Sequence, residues 1–342
     1  MDLAASCDRD DWTDESCGVW RVDDSLAAEY EKKRAFRSSR RDVLRREDDA
    51  GGPTPRKRNG RAPPPHRRGA TTTLRCKAAA GAPRAQVRVD VLRRLHERHR
   101  RHVDASDGDE RAKALERGRF LSRALVVLVR YEALISDPGQ HGMLPLSVFA
   151  CLEAWGCEGE GFATPLNATL PTFCSLHGAD DAFFGSLGSF FDWRPKRGSF
   201  ELNPPFTIQT SVVEDHVVGL LEAAERAGEP LSFVYVVPET SSRQRTRDEI
   251  RTKKLLSDHI IVRPKETFGG VTTSGHVYRR GNEYQNARKL PWDCPLTTVI
   301  TFFQTSAAKK KWPVTAEFKK ALLESFKPPD AAARERERLA FL

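Results

Sequence analysis

The stretch Gly198-Ser199-Phe200-Glu201-Leu202-Asn203-Pro204-Pro205-Phe206 reads as a strand that runs straight into a stiff turn. Two consecutive prolines lock their own φ angles and restrict the residue before them, so Asn203 is held on a rigid loop at the end of the strand. Thr207 to Ala227 follows with helical spacing, and Leu231-Ser232-Phe233-Val234-Tyr235-Val236-Val237 is a continuous apolar run with the length of a buried central strand. Further out, Asp248 to Val262 reads as a helix and a strand, and Thr298 to Phe303 as the strand that closes the sheet. On the other side, Pro145 to Trp155 reads as a helix and Gly161-Phe162-Ala163-Thr164 as a strand end. Alternation of this kind predicts an α/β doubly wound, Rossmann-like sheet with ligand loops at the carboxyl ends of its strands.

Upstream, Val87, Val91, Leu92 and Leu95 recur at helical spacing among Arg93, Arg94, Arg98, Arg100 and Arg101, and a second helix is expected from Asp109 to Ile135, ended by Pro138-Gly139. The expected organisation is a disordered basic arm over 1–85, a helical subdomain over 86–145, the Rossmann-like domain over 146–327 and a tail over 328–342. Hydrophobic residues make up only 39% of the 342, which fits an arm that buries no core. The net charge of +9 favours a polyanionic partner, because neutralised phosphates release counterions. Arg56-Lys57-Arg58, Arg61 and Arg67-Arg68 in the arm suit an RNA contact or a nuclear import signal, and equally a solvating tail.

Seven cysteines, at 7, 17, 76, 151, 157, 174 and 294, form no C-x-x-C pair and no zinc spacing, so reduced thiols and no metal are expected. No run approaches the roughly 18 apolar residues of a membrane span, and the N-terminus lacks the order of a secretory signal. The expectation is a protein without a membrane partner, in the nucleus or the cytoplasm.

Asn203-Pro204-Pro205-Phe206 is the strongest candidate for chemistry. An exocyclic amine is a poor nucleophile, because its lone pair is delocalised into the ring. Hydrogen bonds from that amine to the Asn203 side-chain carbonyl and the Pro204 main-chain carbonyl would favour positive charge on nitrogen as it attacks a methyl sulfonium. Phe206 would stack on the target base. The same four residues also suit a plain helix start, with Asn as cap and Pro in the first turn. Gly156 to Asn167 is a second candidate, a glycine-dense turn whose backbone could approach a cofactor.

From about Arg130 to Trp312 the sequence resembles the phosphorylated CTD-interacting factor family, the cap-specific adenosine N6-methyltransferases. The resemblance is carried by ordered blocks: Phe162 to Asn167, Phe184-Gly185-Ser186, Gly198 to Phe206, Glu229 to Phe233, Val237-Pro238-Glu239 and Lys311-Trp312. It implies a class I methyltransferase sheet that uses S-adenosylmethionine to methylate N6 of the adenosine next to the mRNA cap, often already 2'-O-methylated. Asn203, Pro204, Pro205 and Phe206 would hold the target amine and the methyl donor. Phe162, Ala163, Thr164, Pro165 and Asn167 would help form the cofactor pocket, with Asp192 placed to meet its ribose. Glu239 and His259 lie in blocks that resemble substrate-contact regions. Two departures stand out: Thr207-Ile208-Gln209 replaces an acidic pair after the family's N-P-P-F, and Thr240-Ser241-Ser242-Arg243 replaces its Trp-Arg loop. No packed strand pattern surrounds Trp12 or Trp20, so no WW domain and no coupling to the RNA polymerase II tail is expected. Methylation of DNA adenine, and a methyltransferase fold that binds nucleic acid without turnover, are the alternatives.

Overall fold

All eight residues of Leu231–Pro238 are buried, and this strand stands in the middle of the molecule. The computed structural model describes residues 71–75, 84–134, 142–205, 208, 210–239, 255–265, 267–268, 271–272, 275–285 and 291–327. In chain order the strands are β1 (Thr71–Arg75), β2 (Arg84–Arg88), β3 (Gly159–Glu160), β4 (Thr172–Phe173), β5 (Gly198–Leu202), β6 (Leu231–Pro238), β7 (Leu256–Val262), β8 (Thr267–Phe268), β9 (Val271–Thr272), β10 (Val277–Tyr278), β11 (Trp292–Asp293) and β12 (Thr298–Gln304). The helices are α1 (Val89–Ala105), α2 (Glu110–Arg117), α3 (Phe120–Leu134), α4 (Leu146–Trp155), α5 (Gly178–Asp181), α6 (Thr210–Arg226), α7 (Ser306–Lys311) and α8 (Ala316–Ser325).

The central sheet has six strands in the order β4-β3-β5-β6-β12-β7. β4, β3, β5 and β6 run parallel, while β12 is antiparallel to both β6 and β7. The sheet is therefore mixed, and consistent with a Rossmann-like fold. β12 does not close it, as the sequence suggested, but inserts between β6 and β7. The chain returns from β7 through the short hairpin pairs β8–β9 and β10–β11, with no described helix between, and antiparallel neighbours need no crossover helix.

Burial on both faces explains why β6 has no polar alternation. On one face Phe233, Tyr235 and Val237 pack with Val213, Val217 and Leu221 of α6. On the other, Val234 and Val236 meet Val148 and Leu152 of α4 and Leu322 of α8. Each large apolar side chain buried this way is worth roughly 1.5–3 kcal/mol. α4 stops where Gly156 adopts φ 109°, and a Cβ there would strike the indole nitrogen of Trp312. Trp312 therefore serves as a lid on this helix end, with its carbonyl accepting from Gln304 Nε2 at 2.9 Å.

The N-terminal part departs from expectation in three ways. Residues 71–75 and 84–85, read as arm, belong to an antiparallel hairpin in which Thr71 faces Arg88 and Leu74 faces Ala85. Val87 belongs to β2, not to the helix. The alternation in Arg84-Ala85-Gln86-Val87-Arg88 puts Ala85 and Val87 inside, but with only two apolar residues it is hidden among arginines. The long helix expected from Asp109 is two helices, α2 capped by the Asp109 carboxylate and stopped at Gly118, then α3. The unit is accordingly not purely helical, and its core also takes in Leu166, Phe184 and Tyr284 from later in the chain. Residues 1–70 and 328–342, together with 248–254 of the expected helix before β7, lie outside the described residues.

His99 of α1 is buried against Phe120 and Phe184, 3.6 Å from Glu116. Burial outweighs the attraction of Glu116 and pulls the imidazole down to about 4 from 6.5. A base depressed in the folded state stabilises the fold above its unfolded pKa, and that stability is lost as pH falls from 6.5 towards 4. The loss is on the order of 3 kcal/mol. Urea unfolding of a His99→Leu variant over this window should show a flatter pH dependence than wild type, and an unchanged slope would assign the effect to another group.

Candidate active site

Beyond the carboxyl end of β5 the chain passes from Leu202 to Asn203, and a cavity of ≈ 380 Å³ opens there. This is the side of a parallel sheet on which ligands bind. Pro204 is buried and Pro205 half-buried, and the Pro205 carbonyl accepts from the Ile208 N–H at 2.9 Å. The two prolines thus set the direction in which the chain leaves Asn203. Phe206 lies outside the described residues.

The Asn203 carboxamide donates from Nδ2 to the Gly142 carbonyl at 2.9 Å. That bond fixes which end is which, because a carbonyl can only accept. Its own oxygen, Oδ1, is buried and has no partner among the described residues. A buried acceptor left open costs about 1–3 kcal/mol, so one on a residue that lines a cavity is a candidate to meet a donor from a ligand.

The loop after β3 supplies a second wall. Gly161, Phe162, Ala163, Thr164 and Asn167 line the cavity. Gly161 donates to the Glu201 carbonyl at 2.8 Å, and Ala163 to that of Cys174 at 3.0 Å, so the loop is stitched to both neighbouring strands. Asn167 Oδ1 accepts from the Thr164 N–H at 2.7 Å and the Thr164 hydroxyl at 2.9 Å, closing a tight turn. A Cβ on Gly161 would run into Leu202 Cδ2 and come within 3.0 Å of Phe190. Gly161→Ala should therefore destabilise by about 1–3 kcal/mol through overpacking. A urea midpoint equal to that of wild type would contradict this.

Phe162, Phe190 and Phe191 form an aromatic cluster, with centroids of Phe162 and Phe190 4.9 Å apart. Opposite, α3 contributes Tyr131 and Leu134. The Tyr131 hydroxyl donates to Asp181 Oδ2 at 2.6 Å, and burial holds the Asp181 carboxyl above its usual range. Ser175, at the end of β4, and Ser189 add hydroxyls to the lining. The size suits a small molecule, and the phenyl walls suit a flat ring.

Below this floor Glu160 and Glu201 face each other across β3 and β5, both buried. Burial raises Glu160 to about 7, and burial together with Glu160 raises Glu201 well above its usual value. Glu160 Oε1 accepts from the N–H groups of Thr169 at 2.6 Å and Leu170 at 2.7 Å, tying down the end of the cavity loop.

Of the residues singled out in the sequence, Phe162, Ala163, Thr164, Asn167, Asn203, Pro204 and Pro205 line one cavity. Pro165 is buried beside it, and Asp192 is exposed on the turn after Phe191, outside the lining. Glu239 is exposed at the end of β6, its N–H donating to the Thr297 carbonyl at 2.8 Å. His259 sits on edge strand β7 level with Thr301, three strands from β5 or about 14 Å across the sheet. Tyr131, Gly142, Ser175 and Ser189 were missed, because only the fold brings them here. Phe190 and Phe191 carried a signal as the aromatic pair before Asp192. Among the described residues no group of three or more His, Cys, Asp or Glu could hold a metal ion, and no helix is long and apolar enough to cross a membrane.

A mixed sheet consistent with a Rossmann-like fold, with a cavity past its strand ends lined by an Asn-Pro-Pro turn, defines an α/β protein with room for a small molecule. The chain belongs to the phosphorylated CTD interacting factor 1 family: the family model described as "Phosphorylated CTD interacting factor 1 WW domain" matches residues 92–268. The matched region runs from within α1 through β8 and includes five of the six strands of the central sheet. The chain is similar to a Mus musculus protein named mRNA (2'-O-methyladenosine-N(6)-)-methyltransferase, with 30% identity over 217 residues, 61% of this chain and 29% of the relative. It is similar to a Homo sapiens protein of the same name, with 30% identity over 207 residues, 58% of this chain and 28% of the relative. The chain thus spans under a third of the length of the curated relatives it matches.

Proposed function

We propose that this chain transfers a methyl group from S-adenosylmethionine to N6 of adenosine in RNA, with the cap-adjacent 2'-O-methyladenosine of mRNA as target and the nucleus as its site of action. The names of the relatives support the reaction class. The observation that carries the reading is Asn203, which lines the cavity and whose buried Oδ1 has no partner among the described residues.

S-adenosylmethionine, when bound, supplies an electrophilic methyl group, and the cavity residues fit it. Phe162, Phe190 and Phe191 would hold its adenine, and Ser189, whose hydroxyl accepts from the Phe191 N–H and can still donate, would meet its polar portion. The target amine donates to Asn203 Oδ1 and to the Pro204 carbonyl. Acceptors fixed on this stiff turn would stabilise positive charge on nitrogen without reorganisation. Phe206 has the stacking role, by its position in the sequence. The neutral Asn203 amide takes no proton, and Glu201, whose carboxyl burial raises well above its usual value, is not among the residues that line the cavity. The proton of the product amine leaves to water.

The test is transfer of labelled methyl from S-adenosylmethionine to matched oligonucleotides beginning with adenosine, as capped RNA, uncapped RNA and DNA, followed by nucleoside analysis. N6-methyladenosine on capped RNA alone is the expected result. Equal labelling of uncapped RNA would remove the cap from the proposal, labelling of DNA alone would make the chain a DNA methyltransferase, and no labelling of any would overturn the proposal. Imaging of the tagged chain checks the nuclear assignment.

A further inference from the structure

Asn203 can offer its carbonyl to an amine only while its NH2 group is occupied on the other side. A free carboxamide turns over by 180° and would then present a donor to a donor. The occupant is the carbonyl of Gly142, a residue 61 positions earlier in the chain and no part of the Asn-Pro-Pro turn. Gly142 is itself fixed. The next residue, Met143, forms an isolated antiparallel bridge with Arg279, its N–H donating to the Arg279 carbonyl at 3.0 Å and its carbonyl accepting from the Arg279 N–H at 2.8 Å. Arg279 is anchored in turn by its ion pair with Glu283 at 2.9 Å. The neighbouring Tyr278 is fully buried, its hydroxyl 3.2 Å from Thr298 Oγ1 on β12. The approach is tight: a Cβ on Gly142 would lie 3.3 Å from Tyr278 Cδ1 and 3.6 Å from Trp292 Cζ2.

We infer that the Gly142–Met143 segment, strapped to Arg279, is a positioning element for the reaction: it holds the Asn203 carboxamide in the one orientation that presents Oδ1 to the target amine. The inference rests on the reading of the site as an amine methyltransferase. It adds a residue whose contribution is a main-chain carbonyl, invisible to any search for catalytic side chains. It also ties the segment that follows α3 to the chemistry at the end of β5, so the site is incomplete without chain that precedes the sheet.

Met143→Pro in the full chain is the direct test, since proline removes the N–H that donates to Arg279 and biases the residue before it. The expected result is a kcat about 10- to 100-fold lower, since a misplacement of about 1 Å costs that much. KM for S-adenosylmethionine and RNA should stay within about twofold of wild type, the pattern of an interaction felt only in the transition state. The second readout needs no turnover: the side-chain 15N–1H resonances of Asn203, assigned by comparison with Asn203→Ala. In wild type one Nδ2 proton should exchange slowly with solvent, and in Met143→Pro both should exchange fast. Should the proline variant fail to fold, Gly142→Ala, which displaces the strap by a few tenths of an ångström, carries the same two measurements with a smaller fall in kcat. A folded variant with unchanged kcat, or fast exchange of both Asn203 protons in wild type, overturns the inference. A wild-type chain that transfers no methyl to any substrate overturns the reading of the site, while the exchange measurement still decides the orientation.

Discussion

Asn203→Ala should lower kcat for methyl transfer about 10²- to 10³-fold, the cost of removing one preorganised group that meets charge in a transition state. The substitution deletes both functions of the side chain: the open buried acceptor Oδ1 and the Nδ2 bond to Gly142. It should not unfold the protein, because an unsatisfied acceptor disappears with the side chain and the Gly142 carbonyl is left in a cavity that water can reach. Under the proposed function phosphate contacts elsewhere would supply RNA affinity, which should then remain near the wild-type value in a filter-binding titration at fixed salt. Loss of RNA binding equal to the loss of rate would instead give the Asn-Pro-Pro turn a structural role. Full activity in Asn203→Ala would remove the amine-holding mechanism altogether.

What could be read in the sequence was whatever is local. The β6 run, the strand-to-proline turn and the helix after it each owe their character to neighbouring residues, and all are found, with α6 starting at Thr210 in place of Thr207. The cavity loop was legible for the same reason: Phe162 to Asn167 folds back on itself through Thr164 and Asn167. Asn167 shows the limit of such reading, since its carboxamide oxygen is used up in closing the turn, which makes it a wall by its backbone's shape. The partners of Asn203 were not legible. Gly142 has no side chain to notice, and Tyr131 looks like any aromatic on an apolar helix until Asp181 accepts its hydroxyl. The place of β12 was missed because periodicity shows that a strand is buried and says nothing about its direction or neighbours. The β1–β2 hairpin was missed because its buried side chains are few and stand between arginines.

Glu160→Ala should cost about 2–5 kcal/mol, as two main-chain N–H groups, the part-buried one of Thr169 and the buried one of Leu170, lose their acceptor. Because these residues end the loop that lines the cavity, affinity for S-adenosylmethionine should fall with stability, which calorimetric titration would show. Glu160→Gln keeps an oxygen for both donors and should retain most of the stability, but it removes a titration. Burial lifts the Glu160 carboxyl from 4.5 to about 7 against the pull of Arg98 and Arg279, so the folded state binds this proton more tightly than the unfolded chain. An acid raised in this way stabilises fully below its unfolded pKa, and the contribution is lost as pH rises from 4.5 to about 7. At about 1.4 kcal/mol per unit the loss approaches about 3 kcal/mol. Glu201, across the strand pair, is raised by burial and by Glu160 itself, so it acts in the same direction and titrates more easily once Glu160 is uncharged. His99 acts in the opposite direction over an overlapping window, so wild-type stability alone would hide the effect. The difference between wild type and Glu160→Gln removes His99 from the comparison. Urea unfolding at steps across pH 4.5 to 7 should show the Gln variant gaining on wild type as pH rises, and parallel profiles would mean that the folded carboxyl titrates where the unfolded one does.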